Sequence, residues 1–150
     1  MSAENENIDS KELVREPLND RYSNNAIIKR CLDFSVNLVG YCELLEKDRK
    51  FVISKQLLAS GTSIGANSIE AQNAESTKHF ISKFKIAIRE ADETAYWLEI
   101  CLRSKSYQSP PADLSLELEA NTRMINKIIS TSTKHLKWQF SDCLINNNLI

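Results

Sequence analysis

From Phe80 to Cys101 the chain repeats one pattern: Phe80, Phe84, Ala87, Ala91, Thr94, Leu98 and Cys101 step by 4, 3, 4, 3, 4 and 3 residues. This spacing keeps side chains on one stripe of an α-helix and is incompatible with the two-residue alternation of a strand. Ile81, Ile88, Ala95 and Leu102 form a second stripe beside the first. Two adjacent stripes require two neighbours, which is the geometry of a bundle and not of a two-stranded coil. Ser76 is placed to cap this helix, and Pro110-Pro111, within residues 106–113, to end it.

Three further segments share the helical period. Across residues 19–47, Ile28, Cys31, Ser35, Leu38, Cys42 and Leu45 recur at steps of 3, 4, 3, 4 and 3, and Ile27, Leu32, Phe34 and Val39 widen the stripe. The charged run Lys47-Asp48-Arg49-Lys50 marks a turn. The next helix is expected to start at Ser54 as its N-cap, with Leu57, Leu58, Ile64 and Ala71 on its apolar side. Its middle, from Ala59 to Ala66, is crowded with small residues, including Gly61 and Gly65. A glycine inside a helix costs about 1 kcal/mol relative to alanine, and close approach of another backbone is the usual compensation. Over residues 113–142, Leu114, Leu118, Ile125, Ile128, Ile129 and Leu136 supply a fourth apolar face. With only three glycines and three prolines in 150 residues, the chain has little turn chemistry for sheets. The expected fold is all-α: an antiparallel up-down-up-down four-helix bundle over residues 19–145, preceded by a disordered acidic arm at 1–18.

Charge and targeting features narrow the function. No apolar run approaches the roughly 20 residues of a membrane helix, and the polar N-terminus lacks the apolar core of a signal peptide. A cytoplasmic protein is expected, with Cys31, Cys42, Cys101 and Cys143 reduced and mostly buried. Within residues 1–20, six acidic side chains stand against Lys11 and Arg15, a net of −4, so the rest of a chain of net −1 carries +3. A mildly basic body permits a polyanionic partner without requiring one.

The motifs of catalysis are missing. A di-metal carboxylate bundle needs Glu-x-x-His on two helices, but Ser76 and Ser132 stand three residues before His79 and His135, the two histidines. Gly61 and Gly65 fit neither phosphate-loop pattern and read as packing glycines. No enzyme, cofactor or metal is expected. Two clusters stand out. Ser63, Asn67 and Glu70 share one helical face, as do Glu90, Glu93 and Trp97 on the following helix. They form either a polar site or a structural hydrogen-bond layer that sets register, and the latter fits better, with the Trp97 indole N–H donating to an acceptor. Arg123, Lys127 and Lys134 step by 4 and 7 along one side of the last helix, as a stripe for phosphates or as a solvated face. Ile27, Phe34 and Tyr41, at steps of 7, are expected to broaden the first helix's apolar face toward solvent and form an interface.

Residues 61–99 resemble the four-helix-bundle family of 23S ribosomal RNA intervening-sequence proteins. The resemblance rests on Ser63-Ile64, Ala66-Asn67, Glu70-Ala71, Ser76, Phe80, Lys83, Ile86-Ala87, Glu90-Ala91, Glu93-Thr94 and Tyr96-Trp97-Leu98, in that order. Outside this stretch the likeness is one of pattern, over about residues 24–140. It implies a homo-oligomer, a pentameric ring, and no catalytic residues. The accessory proteins of diversity-generating retroelements are a related, strongly basic group; this chain is nearly neutral, so general RNA binding is expected to be weak. The expected function is a non-enzymatic, oligomeric binding module associated with RNA or a ribonucleoprotein. The alternative is a purely structural or protein–protein interaction protein with no nucleic acid.

Overall fold

The computed structural model of the chain describes residues 17–146, with side chains through residue 137 apart from Asn19; most of the expected arm, and the side chain of Cys143, lie outside that description. A short helix α1 (Leu18–Arg21) precedes four long ones: α2 (Ala26–Lys47), α3 (Phe51–Gln72), α4 (Thr77–Arg103) and α5 (Ala112–Asn146). There is no strand among the described residues. Helix α3 packs on α2 and α4, α4 on α5, and α5 closes back on α2. Each helix therefore touches two neighbours, and the short links make the bundle antiparallel; of the second stripe expected on α4, Ile81 is buried and Ile88 half-buried, whereas Ala95 and Leu102 face solvent.

Helix ends show how closely local chemistry sets the boundaries. Ser76 caps α4 by accepting from the His79 N–H, and Asn25 caps α2 by accepting from the Ile28 N–H. Helix α2 ends in a Schellman arrangement: the Lys50 N–H donates to the Leu45 carbonyl and the Arg49 N–H to that of Glu46, both at 2.9 Å. Arg49 takes the left-handed position, φ 58°, where glycine is the usual occupant. Ser54 does not cap α3, which begins at Phe51 and has no side-chain cap. Ser54 is instead fully buried one turn in, and its hydroxyl donates to the Cys42 carbonyl (3.4 Å) and Glu46 carboxylate (3.0 Å) of α2.

The core runs through all four long helices. Phe34, Leu38, Leu45, Leu57, Ile64, Phe84 and Ile125 have no exposed surface. The expected outward column of α2 is part of this core: Ile27, Phe34 and Tyr41 are 4%, 0% and 2% exposed. The residues expected to widen the core stripe divide differently, since Leu32 and Val39 are 40% and 41% exposed and share a surface strip with Val36 at 63%. At the far end, the 104–111 connection is pinned to the α2–α3 turn. The Tyr41 hydroxyl donates to the Gln108 carbonyl at 2.6 Å, Gln108 donates to Asp48 at 2.9 Å, and the Lys50 ammonium lies 4.9 Å from the Tyr107 ring centre.

Candidate functional site

The buried polar side chains are Ser54, Ser60, Ser68, Thr94 and Asn121. Ser60 and Thr94 meet across α3 and α4 at 2.9 Å, and each hydroxyl is also bonded to a carbonyl of its own helix. Asn121 interrupts the α5 seam between Leu118 and Ile125. It accepts from Arg30 Nε at 3.1 Å and donates to the Arg30 carbonyl at 3.4 Å, tying α5 to α2. Among the described residues no buried side-chain polar atom lacks a partner. A fully satisfied set of this kind specifies register and offers nothing to a ligand. Sequence reasoning passed over Asn121, although a polar residue at a seam position was its signal.

The six residues singled out on α3 and α4 lie nearer the surface. Asn67 donates to the Ser63 carbonyl at 2.9 Å, within α3. Glu70 forms an ion pair with Lys83, which bridges α3 and α4. Glu90 is half-buried, and its backbone carbonyl accepts from Thr94. The Trp97 indole N–H donates to Glu93 at 3.2 Å, one turn back on an exposed stretch of α4. Among the described residues, no hydrogen bond joins Ser63, Asn67 or Glu70 to Glu90, Glu93 or Trp97. On α5, Arg123 is paired with Glu119 of the same helix, and Lys127 and Lys134 are exposed.

Reactive groups are quiet. Burial pushes the Cys31 thiol up to about 11, against the opposing hydrogen bond from Ser68 and the charge of Arg30. Burial likewise raises the thiols of Cys42 and Cys101 and the Tyr41 hydroxyl. A protonated, buried thiol is a poor nucleophile. His79 and His135 are exposed. Among the described residues, no three His, Cys, Asp or Glu side chains gather as a metal cage would need.

Two grooves run between neighbouring helices at the surface. Between α2 and α3 runs a groove of about 310 Å³, walled by Tyr22, Ile28, Leu32, Gly65, Ala66 and Ile69. The glycine at 65 keeps this wall low: an added Cβ would stand 3.4 Å from Cys31 Cβ. A second groove, about 300 Å³, lies between α4 and α5. It is bordered by Ala95 and Leu102 but also by Asp92, Glu99 and Glu119. Since α2/α3 and α4/α5 are opposite walls of the bundle, the two grooves face away from each other.

A family model described as 23S rRNA-intervening sequence protein matches residues 23–130. A crystal structure of a protein of unknown function from the S23 ribosomal protein family of Bacteroides thetaiotaomicron is 38% identical to the chain. The match covers 69% of this chain and 98% of that one, with a TM-score of 0.65. No curated protein matches.

Proposed function

The chain belongs to the family of 23S rRNA-intervening sequence proteins, and from that premise we propose that it works without catalysis, as a self-assembling module that presents a ring of bundles to a protein or ribonucleoprotein partner. The observation that carries this reading is the α2 strip of Leu32, Val36 and Val39, left 40–63% exposed along a helix whose other side is fully packed. Apolar strips of this kind usually mark interfaces. The opposite wall, with Leu102 55% and Leu116 60% exposed, supplies a different apolar surface. Two unlike faces on opposite sides favour head-to-tail contact, which closes into a ring, over the single self-complementary patch of a two-fold dimer. A five-membered ring is the size that the family resemblance implies.

Light scattering at micromolar concentration tests the assembly. A mass near 17.1 kDa would refute it, and a dimer would refute the ring. Val36→Glu with Val39→Glu is expected to dissociate the oligomer while leaving the helical signal intact, since neither side chain is in the core. Direct contact with RNA would fall on Lys127 and Lys134, because Arg123 already has its carboxylate. A stripe of two lysines, unpaired among the described residues, on a chain of net charge −1 gives weak binding to unrelated RNA with a shallow salt dependence, roughly 0.7 per neutralised phosphate on single strands. Sub-micromolar, steeply salt-dependent binding would make RNA the primary partner.

A further inference from the structure

We propose that the groove between α2 and α3 is filled by the chain's own N-terminal segment, with Leu13 and Val14 as the side chains that enter it. The position of the segment's attachment is the first reason. Leu18 and Tyr22 both line the groove, so the chain preceding Pro17 is tethered at its edge. Reach is the second. Leu13 stands five residues before Leu18, a span of up to about 17 Å for an extended chain. The groove occupies α2 from Ile28 to Ser35, about 10 Å at the helical rise.

Chemistry is the third reason. The groove is apolar, and among the described residues Lys29 is the one charged side chain lining it. Residues 1–16 carry five acidic side chains against Lys11 and Arg15, a net of −3, with Glu12 directly before the apolar pair and Arg15 and Glu16 after it. Apolar side chains can therefore enter while a carboxylate meets Lys29. Proximity decides between this occupant and a second copy. A segment on so short a tether presents itself at roughly millimolar effective concentration, about a thousand-fold above a micromolar neighbour. This goes beyond the assembly reading: Leu32 borders both surfaces, but Val36 and Val39 lie outside the groove lining, so the two are tested separately.

Hydrogen exchange on the full chain tests the seat. The amides of residues 12–16 are expected to be protected about ten-fold or more in the wild-type protein, equally at low and high micromolar concentration. Leu13→Asp with Val14→Asp should abolish that protection. Ala66→Glu, an exposed change on the groove wall, should do the same with the helical signal unchanged. Fast exchange in the wild type overturns the proposal, and so does protection indifferent to Ala66→Glu. Protection that grows with concentration also overturns it, because the groove then holds a neighbouring copy. Light scattering on the same samples separates the two ideas. A monomer with a protected segment sinks only the ring, and an oligomer with an unprotected segment sinks only the seated arm.

Discussion

Helices α3 and α4 are neighbours with the closest association in the bundle, and each buries three large side chains, yet they fill the rest of their inner faces differently. Helix α4 buries an aromatic, Phe84, in an edge-to-face pair with Phe80 at 4.9 Å, together with Ile81 and Leu98, and fills the rest with Ala87, Ala91, Thr94 and Cys101. Helix α3 buries Ser54, Ser60, Gly61 and Ser68 beside three large aliphatic residues, Ile53, Leu57 and Ile64, along with Ala71. The hydroxyls of Ser60 and Ser68 bond to carbonyls of their own helix, and that of Ser54 to α2, so they are buried without an orphaned donor. A helix faced with small, self-satisfied residues lets larger neighbours come in over its backbone. Leu38 and Phe34 do so at Gly61, where an added Cβ would stand 2.1 Å from Leu38 Cδ2. The lesson is that a contact can be filled from one side: at Gly61, α2 brings the bulk and α3 brings the room.

The comparison can be broken most forcefully at Phe84. If α4 is held by volume, Phe84→Ala should cost about 3–5 kcal/mol in a denaturant melt, and a loss below about 1 kcal/mol would mean that the site collapses and the plan is wrong. Next is Gly61→Leu, expected to cost about 3 kcal/mol or more, since overpacking typically costs 1–3 and Leu38 would have to leave a fully buried position. Gly65→Leu should cost clearly less, because its added Cβ meets Cys31 at an ordinary 3.4 Å and displaces no buried side chain; equal losses would show that the two glycines do the same job. The Ser60–Thr94 contact sharpens the picture at smaller scale. A double-mutant cycle with Ser60→Ala and Thr94→Val should give a coupling of about 1 kcal/mol, and zero coupling would leave the two helices joined by packing alone. The smallest effect is a control on α2. Gly40 has nothing within 4 Å of its would-be Cβ, so Gly40→Ala should stabilise by about 0.5–1 kcal/mol through helix propensity alone. A loss there would show that another molecule covers this face.

The contrast also explains which parts of the protein were legible in advance. A long apolar period and a serine cap identify α4 down to Ser76, because both are local properties of a single helix. Helix α3 was harder. A serine near the start of a helix signals an N-cap, but the same residue serves equally well as a buried hydroxyl bonded to the next helix. Only the presence of Cys42 and Glu46 across from Ser54 decides between them. The small residues around Gly61 announce a close neighbour without saying which side chain comes in.

What the sequence by itself determined is therefore the four long helices and their amphipathic character, though not the break at 22–25 that separates α1 from α2, since periodicity acts through the 3.6-residue repeat of each helix alone. The bundle class followed from the double stripe of α4. The tertiary structure decided which apolar residues face inward. Ile27, Phe34 and Tyr41 are core, while Leu32, Val36 and Val39 on the same helix are surface. Both sets have helical spacing, and both are apolar, so nothing local distinguishes them. The difference is set by the angle at which α3 and α5 flank α2, and that angle depends on side chains from several helices packing at once. It leaves one apolar strip beyond the reach of either neighbour.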